Sequence, residues 1–177
     1  AAGIIQRSTL AVPQRAVFLD RDGTIIKEVS AQGLRQVDQL ELLPGVAEAI
    51  HELNHAGLRT VMITNQPVVA KGFVSEAGIQ QMHNKLETLL GREHAFPDRI
   101  YYSPHHPEKG FPGERPELKI DCGCRKPKPG MVFQARCDLN IALACSWLFG
   151  DTTTVMQTAR NAGLKSILVR TGHAGAD

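Results

Sequence analysis

No stretch of the chain approaches the roughly 18 consecutive apolar residues that a bilayer-crossing helix needs, so no membrane span is expected. Runs of Lys and Arg are lacking too. The 20 basic residues are offset by 18 acidic ones, for a net charge of +2. That balance excludes a dedicated nucleic-acid binder. Cysteine is scarce, at four residues in 177, which is too few for a disulfide scaffold. Residues 1–14 lack a charged start followed by an apolar core, so no secretory leader is expected. Internal repeats and low-complexity segments are absent. What remains is a globular chain of average composition, 42% hydrophobic and 21% charged. It is expected in the cytoplasm, where thiols stay reduced. Its length fits a single domain over residues 1–177, able to bury roughly 70% of its unfolded surface.

Short apolar, β-branched runs alternate with helical patterns. Strands are predicted at residues 16–19, 58–64, 100–103, 147–149 and 166–169. A helix opens at Pro44, turns Val46, Ala49, Ile50 and Leu53 inward, and stops at Gly57. Ser75 caps a second helix whose face carries Ile79, Met82, Leu86 and Leu89. Residues 130–139 bury Met131, Val132, Ala135 and Leu139, and residues 153–162 form a last helix that Gly163 ends. Cys137 and Cys145 sit among apolar residues and are expected in the core. Residues 104–128, rich in Pro, Gly and charge, read as a long loop. This alternation predicts a three-layer α/β/α fold with a central parallel sheet. Ligands of such sheets bind at the carboxyl ends of the strands. Asp20, Thr64, His105 and Asp151 all fall on that rim.

Asp20-Arg21-Asp22-Gly23-Thr24 follows the first strand directly. Two carboxylates two residues apart repel each other and stay ionised most easily around a cation. Mg2+ takes carboxylate oxygens and keeps several waters, which leaves room for a phosphate. Asp151 can supply a third carboxylate, while Thr64 and Lys126 suit a phosphoryl group's oxygens. One Asp could attack phosphorus, and the other could protonate the leaving oxygen and then activate water.

Asp20-x-Asp22-Gly23-Thr24, Thr64, Lys126 and Gly150-Asp151, in that order, resemble the four signature motifs of haloacid-dehalogenase (HAD) phosphatases. The resemblance implies a Rossmann-like HAD fold, with Asp20 as the nucleophile that forms an aspartyl-phosphate and Asp22 as general acid and base. It implies Thr64 and Lys126 as phosphoryl stabilisers, and Mg2+ on Asp20, Asp22 and Asp151. One departure is Val155, where the family often has a second acid; it fits the buried helix face with Ala159 and Ala162.

Ser103-Pro104-His105-His106-Pro107 and Cys122-Gly123-Cys124 mark the long loop. Two cysteines one residue apart pair with each other poorly, but both can face a zinc ion, with His105 as a third ligand. Residues 101–107, 122–131 and Thr64-Asn65-Gln66 are similar to a subgroup of heptose-bisphosphate and histidinol-phosphate phosphatases. That subgroup carries a structural Zn2+ in a Cys-x-His and Cys-x-Cys loop. Ser103 stands at the fourth ligand position, beside His105, Cys122 and Cys124. A neutral hydroxyl is a poor zinc ligand; His106 is an alternative ligand if the loop path differs.

The region 25–43 is too short for more than a flap, so no large cap domain is expected, and residues 103–125 form a metal-loop insertion. The resemblance implies substrate contacts from Glu28, Val29, Ser30 and Ala31, from Thr64, Asn65, Gln66 and Pro67, and from Arg125 and Lys126. The expected partner is a small phosphorylated sugar, with the C7 phosphate of D-glycero-D-manno-heptose 1,7-bisphosphate hydrolysed in lipopolysaccharide heptose synthesis. No nucleic acid or membrane partner is expected, and the chain is expected to be a monomer. Pro67-Val68 replaces the subgroup's usual Ser-Gly, and Thr152 replaces a Lys. Histidinol-phosphate hydrolysis is the alternative reading. A receiver-like phospho-acceptor domain, which also needs an acidic cluster, a Thr and a Lys, is an alternative of another class.

Overall fold

The computed structural model describes residues 12–30 and 33–177. Most of the leader region read above, and Ala31 of the flap, lie outside the described residues. The chain folds as β1 (Ala16–Leu19), α1 (Val46–His55), β2 (Arg59–Asn65), α2 (Pro67–Ala70), α3 (Glu76–Gly91), β3 (Arg99–Ser103), α4 (Gly130–Leu139), β4 (Trp147–Gly150), α5 (Thr153–Ala162) and β5 (Lys165–Leu168). The five strands run in the order β3-β2-β1-β4-β5, and every pairing is parallel.

β1 is the central strand because its four residues are all apolar and all buried, as a strand covered on both faces requires. Successive side chains of a strand point to opposite faces. Val17, Leu19 and Met62 accordingly pack under α1, α2 and α3, in one core with Ile50, Val69 and Leu86. Ala16, Phe18, Val61 and Ile63 enter the other core with α4 and α5, against Met131, Val132, Val155 and Ala159. The expected three layers are therefore present. Ser75 caps α3 by accepting the Gly78 N–H at 3.1 Å. Thr152 does the same for α5, accepting from the Val155 N–H at 3.3 Å.

Three expectations are corrected. Cys137 and Cys145 are exposed. On α4 the inward residues are Met131, Val132 and Ala135, and position 137 falls on the opposite side; Cys145 ends a 3-10 turn at the surface. On α1, Ala47 is buried and Ala49 is not. The short α2 was not expected; Pro67 opens it, where the missing N–H costs nothing. The loop over 104–128 holds one 3-10 turn, Pro116–Leu118. In the flap, Ile25 and Ile26 are buried, and Ile26 bridges Asp22 and Leu42. Among the described residues no cap domain covers the sheet.

Candidate active site

The parallel sheet brings one end of each strand to a common rim. Asp20 follows β1, Thr64 and Asn65 end β2, Ser103 ends β3, and Asp151 follows β4. A cavity of about 210 Å3 opens there, lined by Asp20, Asp22, Thr64, Asn65, Lys126 and Asp151, with Glu28, Thr152, Thr154 and His173 at its edge. All four catalytic residues and the three Mg2+ ligands expected from sequence meet in it.

Asp20 is 6% exposed. Its Oδ1 accepts the Arg21 N–H at 2.7 Å, and its Oδ2 faces the Lys126 ammonium at 2.6 Å. Burial, aided by Asp22, pushes its carboxyl above the ordinary aspartate range despite Lys126. The opposite holds for Asp22. Burial alone would raise it, but the Arg21 guanidinium and the Gln66 amide outweigh that and hold it low. Arg21 is fully buried and donates from Nη2 to both Asp22 oxygens, at 2.8 and 3.0 Å. Thr64 Oγ1 donates to Asp22 Oδ2 at 3.2 Å. Gln66 Nε2 donates to the same oxygen at 2.9 Å and to Thr64 Oγ1 at 2.7 Å.

The residues taken as substrate contacts divide. Asn65 clasps Lys126: its Oδ1 accepts the Lys126 N–H at 3.0 Å, and its Nδ2 donates to the Lys126 carbonyl at 3.2 Å. Gln66 is buried behind Asp22, and Pro67 starts α2. Arg125 donates from Nη1 to the His105 carbonyl at 3.2 Å and does not line the cavity. Glu28 does line it; Val29 and Ser30 line a neighbouring depression instead. Sequence reading missed Arg21, although its place between two aspartates marked it as their counter-charge. It also missed His173, which no motif signals.

Asp151 is 1% exposed. Its Oδ2 accepts the His173 N–H at 2.8 Å, and its Oδ1 is buried with no hydrogen-bond partner. A buried carboxylate oxygen without a donor carries a cost that a hard cation relieves. The all-oxygen donor set of Asp20, Asp22 and Asp151 thus fits Mg2+. Gly23, with φ +70°, lies so close to Asp151 that a Cβ would collide with its carboxylate.

In the loop, the sulfurs of Cys122 and Cys124 lie at disulfide distance from each other, contrary to the expectation that the pair would stay apart. The turn between them brings their Cα atoms to 5.2 Å, within the usual disulfide range. His105 Nδ1 is 3.3 Å from Cys124 Sγ, and Ser103 Oγ is 3.2 Å from it. Donor atoms of His105, Cys122 and Cys124 all lie within 4.8 Å of one another. His106 turns away, 3.2 Å from Glu108 and against the Phe111 ring, and is no substitute ligand.

A parallel sheet with this rim of carboxylates, Thr and Lys defines a HAD-type phosphatase, and comparisons with known proteins agree. Residues 123–177 match the family described as "HAD-hyrolase-like". The chain belongs to the HAD-like hydrolases and is a phosphatase of that superfamily. Among relatives, it is 39% identical over 163 residues to the D-glycero-beta-D-manno-heptose-1,7-bisphosphate 7-phosphatase of Haemophilus ducreyi, covering 91% of this chain and 86% of that one. It is 40% identical over 159 residues to the same-named enzyme of Escherichia coli K12, covering 89% and 80%. Among solved structures it is similar to the D,D-heptose 1.7-bisphosphate phosphatase from B. bronchiseptica complexed with magnesium and phosphate. That match has a TM-score of 0.79 and 31% identity, over 91% of this chain and 83% of that one. Among the described residues, no helix is long and apolar enough to cross a membrane.

Proposed function

We propose that the chain removes the C7 phosphate of D-glycero-β-D-manno-heptose 1,7-bisphosphate through a phosphoaspartate at Asp20, feeding heptose for lipopolysaccharide. The observation that carries this reading is the buried Asp20 carboxylate beside Lys126 and Asp22 in one open cavity, in a chain about 40% identical to enzymes of that name.

Asp20 attacks phosphorus, and the bond from phosphorus to the sugar oxygen breaks. Asp22 gives its proton to that leaving oxygen. Asp22 is held low in the free protein, so it takes that proton from solvent as the phosphate dianion enters beside it. Asp22 then takes a proton from water, whose oxygen attacks phosphorus and breaks the bond to Asp20, releasing inorganic phosphate. Lys126 and the Thr64 hydroxyl stabilise charge on the transferring oxygens. Asp20, Asp151 and the main-chain carbonyl of Asp22 would hold Mg2+, which would offset the repulsion between a carboxylate nucleophile and a phosphate dianion.

The same reading treats residues 1–177 as one catalytic unit with a flap at 25–43 and a metal-loop insertion at 103–125. Glu28, Val29, Ser30, Ala31 and Arg125 would contact the rest of the sugar. When reduced, Cys122 and Cys124 with His105 would hold a structural Zn2+, with Ser103 as a weak fourth neighbour. The setting is the cytoplasm, and the state monomeric.

The test is phosphate release with Mg2+ from both heptose bisphosphate anomers, fructose 1,6-bisphosphate and histidinol phosphate. Fastest turnover on the β-anomer, lost in Asp20→Asn, supports the reading. Fastest turnover on histidinol phosphate sinks the substrate assignment, and a stable phosphoprotein without turnover sinks the mechanism. Zinc bound to reduced protein and absent from oxidised protein supports the loop assignment; no zinc in either rejects it.

A further inference from the structure

The segment after β5 folds back over the reaction cavity. The His173 N–H donates to Asp151 Oδ2 at 2.8 Å, and the Gly175 N–H donates to the Asp151 carbonyl at 2.7 Å. Asp177 accepts from the Thr153 N–H at 2.8 Å. Gly172 permits this path, because a Cβ there would collide with Asp151 and press on Gly23. These bonds fix the main chain of the segment on the same edge as the cation-binding carboxylate.

The fold-back gives His173 a defined place. Its Nε2 is 2.9 Å from Glu28 Oε1, so a flap residue and a residue 22 positions beyond Asp151 meet across the mouth. The two side chains are 44% and 29% exposed, open to an arriving molecule. They also stand on a shared wall. Glu28 and His173 line the reaction cavity, and both line a second cavity of about 590 Å3 with Lys27, Val29, Ser30 and Gly172. Glu28 and His173 thus stand where a phosphoester longer than its reacting phosphate can extend from one cavity into the other.

Charge in the two cavities shows what the pair would recognise. The first cavity holds Asp20, Asp22, Asp151 and Glu28 against Lys126 and His173. Lys126 is engaged with Asp20, and Arg125 with the His105 carbonyl. Thr152 and Thr154, on the same rim, are neutral. In the second cavity Lys27 is paired with Glu41. His173 is therefore the basic side chain common to both cavities, oriented by Glu28 and open to solvent.

We propose that His173 is a specificity-determining residue that binds the second, non-reacting phosphate of a sugar bisphosphate, with Glu28 orienting the imidazole and accepting from sugar hydroxyls. This deepens the bisphosphate reading above and rests on it. A charge-assisted bond of this kind predicts a loss of about tenfold in affinity when it is removed.

The experiment measures how well fructose 1,6-bisphosphate and fructose 6-phosphate inhibit hydrolysis of p-nitrophenyl phosphate. It uses the Mg2+-loaded wild-type protein and the variants His173→Ala, His173→Lys and Glu28→Gln. The expected result is that His173→Ala weakens inhibition by the bisphosphate about tenfold and by the monophosphate less than about threefold. His173→Lys, which puts a hydrogen-bond donor for phosphate at the same place, restores the difference, and Glu28→Gln gives an intermediate loss. Equal weakening of both inhibitors, no weakening of either, or a wild-type protein that does not favour the bisphosphate overturns the proposal. Failure of the heptose reading looks different: no release from either heptose anomer, while the fructose bisphosphate preference still depends on His173.

Discussion

The reaction cavity and the cysteine–histidine loop sit on the same rim but are built in opposite ways. In the cavity, carboxylates are held from several directions, with Asp22 alone accepting from Arg21, Thr64 and Gln66. Its carboxylates and Thr64 stand at or just after strand ends, and Lys126 is tied to the end of β2 through Asn65, so their geometry is over-determined. The loop has little apolar packing and a single 3-10 turn. It is held by the Phe111 ring against Phe73, by ion pairs of Arg115 and Lys119, and by sulfur and imidazole contacts whose chemistry depends on redox state and metal. The carboxylate chemistry that needs fixed distances is carried at the sheet's rim; the redox-sensitive cysteine turn is left to the loop.

The sharpest way to break this contrast is at Asp20. Asp20→Asn is expected to keep the fold and lower kcat by more than about ten thousandfold, since no other group can form the covalent intermediate. Phosphate release and a thermal melt check the two halves of that statement. Arg21→Met comes next. It strands Asp22 beside a buried apolar chain and is expected to cost about 3 kcal/mol of stability, read by urea denaturation, with a large fall in kcat. An unchanged stability would mean that the cavity is less over-determined than its hydrogen bonds imply.

His83 tests the support behind the cavity. Burial, with Arg21 nearby, pushes its imidazole down to about 4 from an ordinary 6.5. Between those values the unfolded chain binds a proton that the folded one does not, so stability falls as pH drops from 6.5 towards 4 and is flat above. The loss between pH 7 and pH 5 is about 2 kcal/mol. His83→Phe is expected to flatten that slope in urea titrations at each pH. The smallest effect belongs to the loop. Cys122→Ser with Cys124→Ser is expected to change kcat by less than about threefold while lowering the melting temperature by a few degrees. A collapse of kcat there would erase the contrast.

Much of the site was legible because phosphate chemistry constrains residue types at strand ends. Asp20, Thr64 and Asp151 follow or end apolar runs, Asp22 is spaced from Asp20, and Lys126 came from the family resemblance; all five line one cavity. What escaped was set by the return of the chain in space. His173 lies 22 residues past Asp151 with no motif around it, and only the turn at Gly172 brings it to Glu28. Cys137 has apolar neighbours along the chain but sits on the wrong side of α4, a distinction that helical spacing could have drawn. The resemblance implied substrate contacts from Asn65 and Gln66; what it did not signal is that their amides hold Lys126 and Asp22, while Asn65 also lines the cavity.

The Asn65 amide, which accepts from a main-chain N–H and donates to the carbonyl of the same residue, imitates a strand neighbour one residue long. Through it, β2 splices Lys126 into the sheet's own lattice, two residues after Cys124. The splice anchors the Lys126 main chain to the sheet, so a change in the cysteine turn has to work against two amide hydrogen bonds before it moves the catalytic ammonium. A phosphatase wired this way can vary its loop, Ser103 included, and keep its chemistry in register.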